Sequence, residues 1–310
     1  MQITSIGSPA TDLHFKARMT NSQFVALGAV VSRGRIQPEL EKLLPKSSWQ
    51  KGPDYSPVVV GRWLANSWST EHVMRIQSEL DDESKKFALH WLFPQAYYAC
   101  FSQLMGLFSA VGYKDATHTS VIRRYGELLG QGKYPKCLTW YADGTPNSIK
   151  LVNVKSYDVP ASYYVDLGDM RTVDNQIAQL LRSTRDMHLR SKREDLRKEF
   201  RTMRGGIKKR LLQQDWEVVS KKLGPTSLMS FLYRKRIKAN YRDIDTFVQS
   251  EIDGANVIEN LVNLVDGLAI VHESFICRAL GKKAYGQIVE SAGFKFDFMQ
   301  ARRVLVEGMQ

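Results

Sequence analysis

Residues 95–129 read QAYYACFSQLMGLFSAVGYKDATHTSVIRRYGELL, and their pattern decides the fold. From Ala88 to Val111 the chain is apolar nearly all round, the mark of a central helix that touches neighbours on several sides. Pro94 is expected to kink or restart that helix. Gly112 is placed to stop it, because glycine readily takes the left-handed conformation that ends many helices. After a short turn, Thr117 can cap a second helix in which Val121, Tyr125 and Leu128 keep helical spacing.

Upstream, helical spacing begins at Val58 and includes Val59, Trp63 and Trp68. Ser69 or Thr70 can cap the next helix, a charged one over His72 to Lys86. Residues 1–56 read as a mixed segment. Short apolar pieces such as Phe24 to Val31 alternate there with Gly, Pro and Ser; Ile36 to Leu44 forms a short helix, and Lys46 to Pro57 a loop.

Downstream, Tyr134 to Tyr164 changes character, with Asp143-Gly144 between two β-favouring runs, a hairpin signal. A long polar helix is expected over Asp169 to Met203, then a short one over Ile207 to Leu223 after the Gly205-Gly206 break. Gly224-Pro225 is a stop, and Thr226 or Ser227 can cap the next helix. Helices over Ser230–Ser250, Ala255–Leu280 and Lys282–Ala292 precede a polar tail, 293–310. The fold class is therefore mainly α: a helical bundle from residues 57–133 and 166–292, with a small β-hairpin insertion over 134–165.

The chain has 310 residues, 43% of them hydrophobic, enough for a packed core. A net charge of +12 favours anionic partners: nucleic acid, nucleotides or an acidic protein. The three cysteines, Cys100, Cys137 and Cys277, are widely spaced and form no CxxC pair. This argues against a zinc site or disulfide framework and fits a cytoplasmic protein without metal or cofactor. No apolar run reaches the roughly 18 residues of a membrane span, and the N-terminus lacks a leader pattern, so no membrane partner is expected. No GxxxxGK, GxSxG or HExxH motif is present. His272-Glu273 reads as a buried pair rather than a metal site.

Charge concentrates between Arg182 and Arg210, where twelve Lys or Arg face four acids, a net of +8. Such a stripe can neutralise phosphates and release their counterions, and arginine forks suit phosphate oxygens. The alternative is a solvated helix face with local pairs such as Arg190–Glu194. Within this stripe Arg182 and His188 have an Arg-x5-His spacing, one that chance alone produces about once in a chain of this composition.

The Tyr97-Tyr98 helix, the Thr117-His118 cap and a second block from Leu228 to Val248, containing Arg236-Ile237-Lys238-Ala239-Asn240-Tyr241, together resemble the HEPN superfamily of helical bundles. Arg236 to Tyr241 is similar to the Arg-x-x-Ala-Asp-Tyr pattern of one branch, with Asn240 in place of Asp. Nuclease members carry Arg, four to six residues, then His; aligned through Tyr241, this chain has Arg234 and then Ala239. The resemblance implies a HEPN-like bundle that pairs as a homodimer or with a partner protein and works in a bacterial toxin or phage-defence setting. RNA cleavage through the 2′-hydroxyl needs a base and a cation, and Ala239 supplies neither.

The leading expectation is accordingly a module binding RNA, nucleotide or a protein, through Arg234, Arg236, Lys238, Asn240, Tyr241 and His118, with Arg185, Arg190, Arg193 and Arg197 on the basic helix. His118 is equally readable as a packing residue, and Tyr241 and Arg236 as packing on the central helix, paired with Asp243 or Asp245. The rival is a metal-independent ribonuclease with Arg182 and His188 as catalytic residues. A third reading is a structural subunit whose basic helix docks an acidic partner.

Overall fold

The computed structural model describes residues 9–114, 117–158, 164–203, 205–241 and 253–310, and these form eleven α-helices and one antiparallel hairpin. In chain order the helices are α1 (Pro9–Val30), α2 (Arg33–Leu43), α3 (Pro57–Ile76), α4 (Asp82–Val111) and α5 (His118–Gly130). The hairpin strands β1 (Tyr141–Thr145) and β2 (Ser148–Val152) follow, then α6 (Met170–Asp195), α7 (Gln213–Leu223) and α8 (Leu228–Tyr241). Helices α9 (Gly254–Leu280), α10 (Lys282–Glu290) and α11 (Asp297–Gly308) complete the chain.

Helix α4 is the axis, packed against α3, α8 and α9. Asp81 caps it by accepting the Ser84 N–H at 2.9 Å, and Gly112 ends it at φ 83°. It runs unbroken through Pro94, which is buried, so packing on several sides outweighs the one lost hydrogen bond. Helix α3 likewise continues past Ser69 and Thr70. Their hydroxyls donate back to the Asn66 carbonyl at 3.1 and 2.7 Å instead of capping a new helix.

Residues 9–43 are not a mixed segment but two helices of the core. Phe24 on α1 lies 5.2 Å from Phe93 on α4 and 5.7 Å from Phe231 on α8, ring centre to ring centre. Buried Thr20, Ser22 and Gln23 on the same helix blur its apolar stripe, which hides it from a periodicity reading. Close approach fixes the α1–α2 corner against α9, where a Cβ on Gly267 would stand 2.3 Å from the Val31 carbonyl oxygen.

The hairpin pairs Tyr141 with Val152 through Thr145 with Ser148. Asp143-Gly144 is therefore inside β1, and the turn is Pro146-Asn147. Gly144 still needs glycine, at φ 91°. Helix α6 is shorter than its polar run and α7 starts at Gln213. Between and beneath them Leu189, Leu196, Phe200 and Val219 form a small second core. Helix α9 is long and apolar enough by length and composition to cross a membrane, although no uncharged run of that length exists; 67% of its most apolar window is buried in the bundle.

The terminal segment 293–310 is not a polar tail. Helix α11 inserts Arg302, fully buried, into a group of carboxylates from α3 and α9. Its Nη2 meets Glu71 and Asp266 at 2.6 Å each, and its Nη1 meets Glu273 at 3.1 Å. Arg75 adds 2.6 and 3.1 Å bonds to Glu71 and Asp266. Trp68 Nε1 and the Tyr285 hydroxyl donate to the two oxygens of Glu273 at 2.9 and 2.5 Å. Burial alone would lower the pKa of Arg302, but Glu71, Glu273 and Asp266 hold it well above the usual range. His272, next to Glu273, faces elsewhere, toward Tyr134 Oη at 3.1 Å and Gln103 at 3.4 Å. The two are buried but are not each other's partner.

Arg302→Met leaves three buried carboxylates with one partly exposed arginine, and should lower the unfolding free energy by about 3–5 kcal/mol. The adjacent Arg303 pairs with Glu290 and Glu307 near the surface, and Arg303→Met should cost under about 1 kcal/mol. Urea unfolding of both variants checks the contrast; equal losses would show that α11 is not held by the buried ions.

Candidate functional site

The two blocks of the sequence motif meet where α4, α5 and α8 converge. Thr117 caps α5 with a reciprocal Ser120 pair, its Oγ1 accepting the Ser120 N–H at 3.1 Å, and this fixes His118 as the first helical residue. His118 Nδ1 lies 2.8 Å from the Tyr97 hydroxyl. Burial raises the Tyr97 pKa far above its ordinary value, so the phenol keeps its proton. Burial, and then the charge of Arg236, lower the His118 pKa. A neutral imidazole paired through Nδ1 with a neutral phenol follows.

Around this pair stand Tyr98, Phe101 and Tyr233. The His118 ring is 4.4 Å from that of Phe101 and 6.1 Å from that of Tyr233. The Arg236 guanidinium sits 4.8 Å from the Tyr98 ring centre, 5.6 Å from Tyr97 and 5.7 Å from Tyr233. Its charge is held by ring faces, and its buried Nε has no hydrogen-bond partner among the described residues. Stacking of this kind leaves the edge of the fork available to a phosphate. Tyr233, one turn before Arg236, was not singled out from the sequence; the (i, i+3) spacing of an aromatic and an arginine is the signal that finds it. Helix α8 reaches Tyr241, but the side chains of Lys238, Asn240 and Tyr241, and the whole of Asp243 and Asp245, lie outside the described residues.

The basic segment is less uniform than its composition. Arg185 is fully buried and acts as a staple. It donates to the Gly144 carbonyl at 2.9 Å, to Asp143 at 3.0 Å and to Ser220 Oγ at 2.7 Å, and also to the Gly224 carbonyl. Burial pushes its pKa down to about 10 against the opposing effect of Asp143. With its donors held inside the chain, Arg185 offers no surface for a ligand. Arg190 pairs with Asp186 at 3.0 Å rather than with Glu194, which meets Arg193 at 3.8 Å. Arg193 also donates to the Lys209 carbonyl at 3.2 Å. Lys192 and Lys222 take up Asp195 and Glu199. The four acids are thus matched locally. Arg182, Arg197, Lys198, Lys209 and Arg210 are exposed and make no side-chain hydrogen bond or ion pair among the described residues.

A pocket of about 220 Å³ joins the two regions, bordered by Thr119, Arg123, His188, Lys192 and Tyr233. His188 therefore lies beside the Tyr233 ring that also faces His118. Arg234 reaches α6 as well, donating to Ser183 Oγ at 2.8 Å and Thr184 Oγ1 at 3.1 Å. Arg182 does not share this face: six residues along a helix rotate by roughly 240°. His118, His188, Arg234 and Arg236 are brought to one junction, whereas Arg182, Arg190, Arg193 and Arg197 belong to the adjoining basic surface.

Burial, then the charges of Arg234 and Arg185, push the His188 pKa down to about 4. The folded chain therefore binds fewer protons than the unfolded chain between pH 4 and the ordinary value of 6.5. This contribution to stability is complete above about pH 6.5 and is lost as pH falls toward 4. Buried His272, pushed down to about 3, acts in the same direction. A histidine titration followed by NMR should give His188 a midpoint near 4; a midpoint near 6.5 would place it in open solvent.

Comparison with protein-family models, with curated proteins and with solved structures finds no match to this chain.

Proposed function

We propose that this chain is an RNA-binding module built on a HEPN-like bundle. The observation that carries the reading is that Arg182, Arg197, Lys198, Lys209 and Arg210 are exposed and make no side-chain hydrogen bond or ion pair among the described residues, in a segment whose His188 and Lys192 border the pocket with Tyr233. Phosphates laid along this surface release counterions, and binding of that kind is sequence-tolerant and strongly salt-dependent. At its α8 end, Tyr98 and Arg236 provide a stacked ring and fork to which a splayed base or a phosphate can add. The HEPN relationship is supported by the gathering of Tyr97, Tyr98, His118 and Arg236 in one cluster. A toxin or phage-defence role and pairing into a homodimer follow from that relationship and are proposed with it.

Metal-independent RNA cleavage is the second reading, favoured by one observation: His188, which borders the pocket, feels the charge of Arg234 on the neighbouring helix, so that an imidazole and a cation stand close together. An imidazole with a pKa of about 4 is neutral at pH 7 but a weak base there. Cleavage at this site would therefore be slow at neutral pH and would use Arg234 rather than Arg182.

Binding to a single-stranded RNA oligonucleotide should weaken with salt, and reversing Arg197, Lys198 and Arg210 to Glu should lower affinity at least about ten-fold and flatten the salt slope by roughly 2–3. Arg236→Ala should lower affinity while leaving that slope almost unchanged. Affinity indifferent to both salt and the triple reversal would overturn the reading. Cleavage in EDTA that disappears in His188→Ala would move the chain to the second one.

A further inference from the structure

At the C-terminal end of α5, away from His118 at its start, α2, the turn after Tyr134 and the end of β2 border another recess. Its inner part, about 630 Å³, is lined by Leu43, Leu129 and Val152, with Tyr141 on one wall and Lys42 and Lys136 at its rim. A second recess of about 760 Å³ adjoins it. Lys136, Thr139 and Asn153 border both, and Lys155 and Tyr157 belong to the outer one.

The residues at the join are held in place. Glu39 on α2 accepts the Cys137 N–H at 2.9 Å, which anchors the 136–138 turn beside α2 and sets Lys136 near Lys42. Asn153 takes the left-handed conformation, φ 57°, and its amide donates to Thr139 O and Oγ1 at 2.9 and 3.1 Å. This bends the chain out of β2 so that Lys155 turns toward the outer recess. Lys42, Lys46, Lys136 and Lys155 stand against Glu39 and Asp174, so the lining carries a positive excess. The hydrogen bond from Cys137 leaves Glu39 in the lining and Asp174 interacts with Lys155, so four lysines against two acids leave an excess of two basic residues over the double recess.

An apolar floor with an aromatic wall, joined to an outer recess rimmed with lysines, fits a ligand with a ring at one end and phosphate at the other. We propose that this double recess binds a nucleoside phosphate, with the ring against Leu43, Leu129, Val152 and Tyr141, and the phosphate between Lys136 and Lys155. The site is separate from the basic segment 182–210 and does not depend on that segment binding RNA. The 5′-phosphate end of an RNA offers the same chemistry as a free nucleotide.

Calorimetry on the full chain with AMP, ATP and adenosine tests the site. AMP and ATP should bind with one-to-one stoichiometry and adenosine at least about ten-fold more weakly. Lys42→Glu combined with Lys136→Glu, both exposed positions, should weaken AMP binding at least about ten-fold. Val152→Trp, which fills the inner recess without changing charge, should do the same, with thermal unfolding confirming that both variants fold. The Arg197, Lys198 and Arg210 reversals should leave AMP binding unchanged. Displacement of AMP by a 5′-phosphorylated oligonucleotide but not by its 5′-hydroxyl counterpart would assign the natural source to an RNA end; no displacement by either would assign it to the free nucleotide. Absence of AMP and ATP binding, or binding that survives Val152→Trp and is lost in the reversals of the basic segment, would overturn the proposal.

Discussion

The buried contact between Arg302 and the carboxylates of Glu71, Asp266 and Glu273 is the constraint on which the bundle depends. Three carboxylates cannot remain ionised in an apolar interior without compensation, and each would carry a desolvation penalty of several kcal/mol alone. Arg302 therefore ties three helices at once, because α3 supplies one acid and α9 the other two. Asp266 and Glu273 are seven residues apart and so lie on the same face of α9. The ion group also gives α9 a fixed rotation: turning it by one residue would carry both acids away from Arg302 and into hydrocarbon. With α9 fixed, α4 is fixed against it, and the Tyr97, Tyr98 and Phe101 face is presented to α5 and α8.

A second buried arginine does the same for the outer lobe. Arg185 joins α6 to β1 through Asp143 and Gly144, and to the end of α7 through Ser220 and the Gly224 carbonyl. Five donors in a planar fork can satisfy several carbonyls that loops would otherwise leave unpaired. The hairpin is thus more than an appended loop, since it carries part of the wall against which α6 is positioned.

The fold class was legible because the apolar run over 88–111, the Gly112 stop and the Thr117 cap are local signals, and local signals need no knowledge of partners. The hairpin was legible in kind but shifted in register: Asp143-Gly144 is a strong turn dipeptide, yet Pro146-Asn147 takes the turn and Arg185 claims Asp143 as its partner. Helices α1 and α11 were hidden for a different reason. Each buries a polar side chain, Thr20 on α1 and Arg302 on α11, whose partners come from distant parts of the chain. A reading of charge along the sequence counts Arg302 as surface and Arg185 as ligand-binding, because burial is not written in residue type. A hint was on α9, where Glu259, Asp266 and Glu273 follow at heptad spacing along a mainly apolar helix, and the two that are buried require a cation from elsewhere.

The same distinction bears on function. Of the basic residues between 182 and 210, those with nearby acids or carbonyls are held in place, and those without are turned outward. Sequence charge alone would credit the segment with its whole surplus, but a ligand meets only the outward group. The junction at Tyr233 differs in kind, because its histidines are neutral and its arginine is stacked on rings. Under the proposed RNA-binding reading, a phosphate arriving there would be oriented by a few fixed donors, whereas over the segment 182–210 it would be attracted by several exposed ones. Attraction over the wide surface followed by orientation at the narrow junction is the order that electrostatics imposes, since the unpaired charges act at a distance and the stacked arginine only on contact.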